Sequence, residues 1–144
     1  MHNVTAADFQ IGQITGTGTL TVLSSPTGFL LWAATNAPEQ GMEQDHDGDG
    51  TLNGVEYFMG ESGSTFTVNP APGGGAVLWP MAGTYSGTYG VNYVVETSSD
   101  LAVWAPGTIG VGPGTVQVVP GVSVTYTLPT GAGPQFVRLR VNAD

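Results

Sequence analysis

Gln135-Phe136-Val137-Arg138-Leu139-Arg140-Val141 alternates along its length, with Val137, Leu139 and Val141 on one parity and Phe136, Arg138 and Arg140 on the other. Successive side chains of an extended chain point to opposite sides, so this period of two predicts a strand with one face in a core. Working back along the chain, the same reading gives strands at residues 123–128, 115–119, 92–97, 76–79 and 65–68, divided by Gly, Pro and Ser-Asp turns. Short strands with long connections predict a mainly β fold, a two-sheet β-sandwich of jelly-roll or Ig-like type over residues 64–144.

Upstream of the strands lies Asp45-His46-Asp47-Gly48-Asp49-Gly50-Thr51-Leu52-Asn53-Gly54-Val55-Glu56, which fits a twelve-position calcium loop of EF-hand type. Ca²⁺ is a hard cation that takes six to eight oxygens. Asp45, Asp47 and Asp49 supply carboxylates at positions 1, 3 and 5, Thr51 a backbone carbonyl at position 7, Asn53 a side-chain oxygen at position 9, directly or through water, and Glu56 a bidentate carboxylate at position 12. Gly50 falls at position 6, where the chain turns sharply and a Cβ is expected to obstruct it. Leu52 is expected to point away from the ion into apolar surroundings. An acidic, turn-rich surface loop is the plainer alternative.

A helix is predicted before the loop, with Ser25 as N-cap, Pro26 at its first position, the apolar run 29–34 and an end near Asn36 before Pro38. A short outgoing helix follows at residues 53–59 and stops at Gly60. Because residues 37–44 intervene, this is not a standard helix-loop-helix. Trp32, Tyr57 and Phe58 are read as core residues that dock the small helical unit, residues 26–63, on the sandwich. Residues 8–23 read as an N-terminal β-strand within a segment 1–25, with Ile14, Gly16, Gly18, Leu20 and Val22 on one face and Thr15, Thr17, Thr19 and Thr21 on the other. Phe9 and Ile11 lie on the opposite parity, which a bulge near Gly12-Gln13 would correct. The three parts are expected to form one unit.

Composition narrows the partners. The chain has 144 residues, eleven acids, no lysine and only Arg138 and Arg140 as fixed cations. Clustered positive charge is what nucleic acids and anionic membranes require, so neither is an expected partner. No apolar run is long enough to span a bilayer, and Met1-His2-Asn3 does not begin a signal peptide. The acids concentrate between Glu39 and Glu61, around the proposed ion. Lack of cysteine removes disulfides and thiolate chemistry, and a bound calcium can serve as the staple instead. At least one arginine is expected to pair with Glu96 or Asp100 on the sandwich surface.

The calcium loop with residues 29–36, 53–60, 93–101, Trp104 and 136–141 resembles a recurring C-terminal module of large secreted proteins from planctomycete-type environmental bacteria, over roughly residues 26–144. The loop itself is also similar to dockerin and thrombospondin type-3 repeats. The resemblance implies export and calcium, not a reaction. Dockerins carry two such loops and this chain has one, so cohesin binding is not implied.

No enzyme is expected. His2 lies near a terminus, His46 sits inside the loop, and the acids outside the loop region are scattered. The expected function is that of a calcium-stabilised extracellular structural protein, a filament subunit that binds other copies of itself head to tail through residues 8–23. The alternative is a cell-surface recognition module that binds glycans through Trp79, Tyr85, Tyr89 or Trp104. Asn3-Val4-Thr5 matches an N-glycosylation sequon.

Overall fold

Alternation between apolar and polar residues becomes two antiparallel-rich sheets in the computed structural model, which describes residues 28–131 and 135–142. The expected strand at residues 8–23, Ser25-Pro26 and the Asn3 sequon lie outside them. The strands are β1 (Ala76–Pro80), β2 (Tyr93–Ser98), β3 (Ala105–Pro106), β4 (Thr108–Ile109), β5 (Thr115–Val119), β6 (Ser123–Thr127) and β7 (Phe136–Val141). One sheet has the order β1-β6-β5-β4 and the other β3-β2-β7. All pairs are antiparallel except β4 with β5. The register of β7 on β2 sets Val141 opposite Tyr93 and Leu139 opposite Val95, so one apolar row faces inward.

These rows meet Val77, Trp79, Val116, Val124 and Tyr126 of the facing sheet in one core, with Trp79 2% exposed and Val95, Val116 and Val124 sealed from solvent. Each such side chain contributes about 1.5–3 kcal/mol by leaving water. The mainly β, two-sheet sandwich expected from the alternation is therefore present. The stretch at residues 65–68 is not a strand. Its Phe66 and Val68 are 76% and 71% exposed, and the backbone of Thr67 bonds to the acidic loop instead of a sheet. Two short strands, β3 and β4, carry no alternating signal and were not expected.

The two seams of the sandwich close differently. On one side the chain runs from β3 to β4 through Gly107, whose N–H donates to the Val95 carbonyl at 2.7 Å. A Cβ at this glycine would stand 2.7 Å from Val116 Cγ2 and 3.2 Å from the Val95 oxygen, so only glycine lets the chain pass there. On the other side the edges of β1 and β7 have no strand partner among the described residues.

Two helices attend that second seam. α1 (Phe29–Asn36) begins one residue after Gly28, which has φ 57° and ψ −128°. Glycine adopts that geometry readily, and helical conformation starts only after it, so Gly28 and not Ser25 is the N-cap. α2 (Asn53–Met59) ends as expected at Gly60, in the left-handed region, whose N–H bonds to Glu56 and Tyr57 carbonyls. Phe58 of α2 is fully buried, its ring 4.9 Å from Tyr85 and 5.0 Å from Tyr93. Val55 and Met59 join the same core, and the Phe58 carbonyl accepts the Ala82 N–H at 2.8 Å. A Cβ on Gly54 would touch Val141 Cβ at 3.3 Å, so α2 lies across the end of the seam marked by Val141 and Pro80. Trp32 and Tyr57 are half-buried and pack between α1 and α2, their rings tilted by 57° with centroids 5.9 Å apart.

Candidate metal centre

The acidic loop sits between these helices and is held by its own side chains. Asp45 accepts the Gly48 N–H on Oδ1 and the Gly50 N–H on Oδ2, both at 2.8 Å. Asp47 accepts the Asp49 N–H, and Asp49 accepts the Thr51 N–H at 2.6 Å and the Thr67 N–H on its second oxygen. Asp and Asn favour such local bonds to nearby backbone, which is why a run rich in both curls into a tight loop. Gly50 has φ 92°, and nothing lies within 4 Å of where its Cβ would be. The backbone angle, not crowding, is what calls for glycine there.

Curling brings carboxylate oxygens of Asp45, Asp47 and Asp49 within 4.8 Å of one another, a cluster able to hold a metal ion. Burial raises the Asp49 carboxyl, but the Thr67 and Thr51 hydrogen bonds outweigh it and hold the group below its ordinary range. Like charges this close repel unless a cation intervenes.

Glu56, outside that group of three, is fully buried on α2, and among the described residues neither of its carboxylate oxygens meets a hydrogen-bond donor. Burial pushes its pKa up to about 7. A smaller opposing influence comes from the Thr67 hydroxyl, which itself donates to the Thr65 carbonyl, and the charges of Asp47, Asp49 and Asp45 push the pKa up further. A buried carboxylate without donors is costly, whereas a cation at this place would satisfy both oxygens. Gly63 covers the site: a Cβ there would lie 2.9 Å from the Asn36 oxygen, 2.9 Å from Trp32 Cη2 and 3.2 Å from Glu56 Oε2.

Thr51 and Asn53 are buried, and their side chains brace the loop. The Thr51 hydroxyl donates to the Thr67 carbonyl at 3.0 Å. Asn53 accepts the His46 N–H on Oδ1 and donates through Nδ2 to the Gly41 carbonyl and Gln40 Oε1. His46 is exposed, in keeping with an outward position 2. Leu52 reaches apolar surroundings only in part. It remains 43% exposed at the mouth of a cavity of about 290 Å³ shared with Met42, Val55 and β7. Thr67, eighteen residues beyond Asp49, was missed because no local spacing links it to the loop.

Away from the loop, β7 carries a second charged group. Glu96 lies directly opposite Arg138 and bonds both arginines, Arg138 Nη2 at 2.8 Å and Arg140 Nε at 3.0 Å. It is only 8% exposed, so the expected surface pair is a half-buried triad, roofed by Trp104, whose ring centroid is 3.9 Å from Arg138 Cζ. Asp100 does not join it. Its Oδ1 accepts the Ala102 and Val103 N–H groups and the Ser98 hydroxyl, and these bonds, from Val103 first, hold it below the ordinary carboxylate range. Of the aromatics considered as a sugar platform, Trp79 and Tyr85 are buried and Tyr89 is tied to the Gly107 carbonyl at 2.8 Å.

Among the described residues no helix is long and apolar enough to cross a membrane. Comparison with protein families, curated proteins and solved structures found no match.

Proposed function

We propose that this chain is a calcium-stabilised extracellular structural protein, a filament subunit joined head to tail by donation of residues 8–23. The single observation that carries the calcium reading is Glu56: a buried carboxylate whose two oxygens have no donor among the described residues, beside three aspartates within 4.8 Å of one another. Oxygen-only ligands of this number suit a hard cation, and the loop's length and spacing suit Ca²⁺ better than Mg²⁺, which keeps most of its water. Asp45, Asp47, Asp49, the Thr51 carbonyl, Asn53 and Glu56 would hold it. Bound there, the ion supplies charge neutralisation and cross-links the loop to α2.

Assembly is supported by the edges of β1 and β7, which have no strand partner among the described residues, in a chain without the lysines that commonly guard exposed edges. The resemblance to modules of secreted proteins favours the cell exterior, where calcium is abundant enough to fill sites of roughly 10⁻⁴ to 10⁻³ M affinity. A glycan-recognition role draws less support, since Trp79 and Tyr85 are enclosed.

Calorimetric titration with Ca²⁺ and with Mg²⁺, together with melting curves in calcium and in chelator, tests the metal. At 100 times its dissociation constant the ion adds about 2.7 kcal/mol. An unchanged melting temperature on chelation, with normal calcium uptake by Asp49→Ala, rejects the site. Light scattering against protein concentration tests assembly.

A further inference from the structure

Only one end of the β1–β7 seam is filled by α2. At the other end, where both strands begin, an open apolar groove of about 500 Å³ is lined by Val77, Leu101, Trp104, Leu128, Phe136 and Val137, with prolines at its rim. Leu101 is 56% and Phe136 40% exposed there. The groove is bordered by the starts of β1 and β7, edge strands with no strand partner among the described residues; Ala76 at the head of β1 already bonds Gly73, which leaves the edge of β7 to offer backbone hydrogen bonds beside the apolar floor. That pairing is what a β-strand needs as a dock, and an isolated apolar ligand would leave the edge unused.

We propose that this groove receives residues 9–23 of a second copy of the chain, a proposal that rests on the assembly reading above and names its acceptor. Three features of the segment fit. From Phe9 to Leu23 it carries no charge, so it can be buried without stranding an ion. Ile14, Leu20 and Val22 share a parity with Gly16 and Gly18, which gives knobs for the floor and bare backbone where two sheets approach closely. Its length points to a second molecule. Extended, residues 9–23 span about 50 Å, against about 20 Å for a strand of six residues such as β7. In its own sandwich more than half of the segment would overhang, whereas between two molecules one part fills the groove and the rest spans the gap.

Complementation between full-length chains in calcium tests this. Leu20→Asp spoils the strand and leaves the groove intact. Leu101→Asp with Phe136→Asp spoils the groove at exposed positions, so folding is retained, as circular dichroism and melting will verify. Each variant alone is expected to need at least about tenfold more protein to assemble than the parent, a factor worth about 1.4 kcal/mol, which is small beside the burial of a charge. Mixed in equal amounts they should form a one-to-one dimer and nothing longer, because only one strand and one groove remain. A mixture that stays monomeric overturns the proposal and shows the strand does not cross between copies. Normal assembly of the Leu101→Asp/Phe136→Asp chain, with Leu20→Asp defective, places the dock elsewhere and leaves the assembly reading standing. A parent chain that is monomeric at all concentrations removes the assembly reading and this proposal with it.

Discussion

Glu56 is the residue at which burial and charge are in sharpest conflict. Without an ion its pKa near 7 lies above the ordinary 4.5, so the folded chain holds a proton that the unfolded chain releases. The stability this gives is fully present below pH 4.5 and is lost as pH rises through 7, a span on the order of 3 kcal/mol. A calcium ion bound as proposed would have to displace that proton. Its affinity should therefore rise with pH, by up to about tenfold per unit below pH 7, and level off above it, as titrations between pH 6 and 8 will read. Glu56→Gln removes the charge at nearly constant shape: in chelator at pH 8 it should melt higher than the parent, and added calcium should stabilise it little. Gly63→Ala works on the same spot by crowding. Its methyl meets the Asn36 carbonyl and Trp32 at 2.9 Å, so a loss of roughly 1–3 kcal/mol is expected in denaturant titrations, with or without calcium.

At the scale of elements, β7 shows what the sequence made legible. Its alternation alone placed Leu139 and Val141 inward and both arginines outward, since a strand's two faces are fixed by period. What alternation could not report is depth. Glu96 looked like a surface partner, yet cross-strand register sets it under two guanidinium groups, one of them covered by an indole. Because Glu96 keeps one partner when the other is lost, Arg140→Gln should cost less than about 1 kcal/mol. Losing both arginines should cost more than the sum of the two single losses, which a double-mutant cycle will measure. The stretch 65–68 failed for a related reason. Its pattern matches a strand, but its hydrogen-bond partners lie in the aspartate loop, and the spacing between Asp49 and Thr67 is set by tertiary contact alone. The aspartate cluster was readable because Asp45, Asp47 and Asp49 recur at fixed local offsets.

For the whole molecule, α2 is at once the end of the acidic loop and part of the sandwich core, through Phe58 and Val55. Removing the proposed calcium should therefore reach further than the loop. Hydrogen exchange in chelator is expected to accelerate first at residues 37–61, then at the neighbouring edges of β1 and β7, while β5, β6 and β2 hold longest. Uniform acceleration across both sheets would contradict that order. Only the topology was hidden from sequence in this respect, since nothing in Ala105-Pro106-Gly107-Thr108-Ile109 announces a chain that changes sheets.

That crossing has a further meaning. Gly107 binds the two described sheets together as a spine binds the covers of a book, and α2 acts as the clasp on the fore-edge. Opening of the sandwich should therefore be easiest along the side away from Gly107, once the clasp is released.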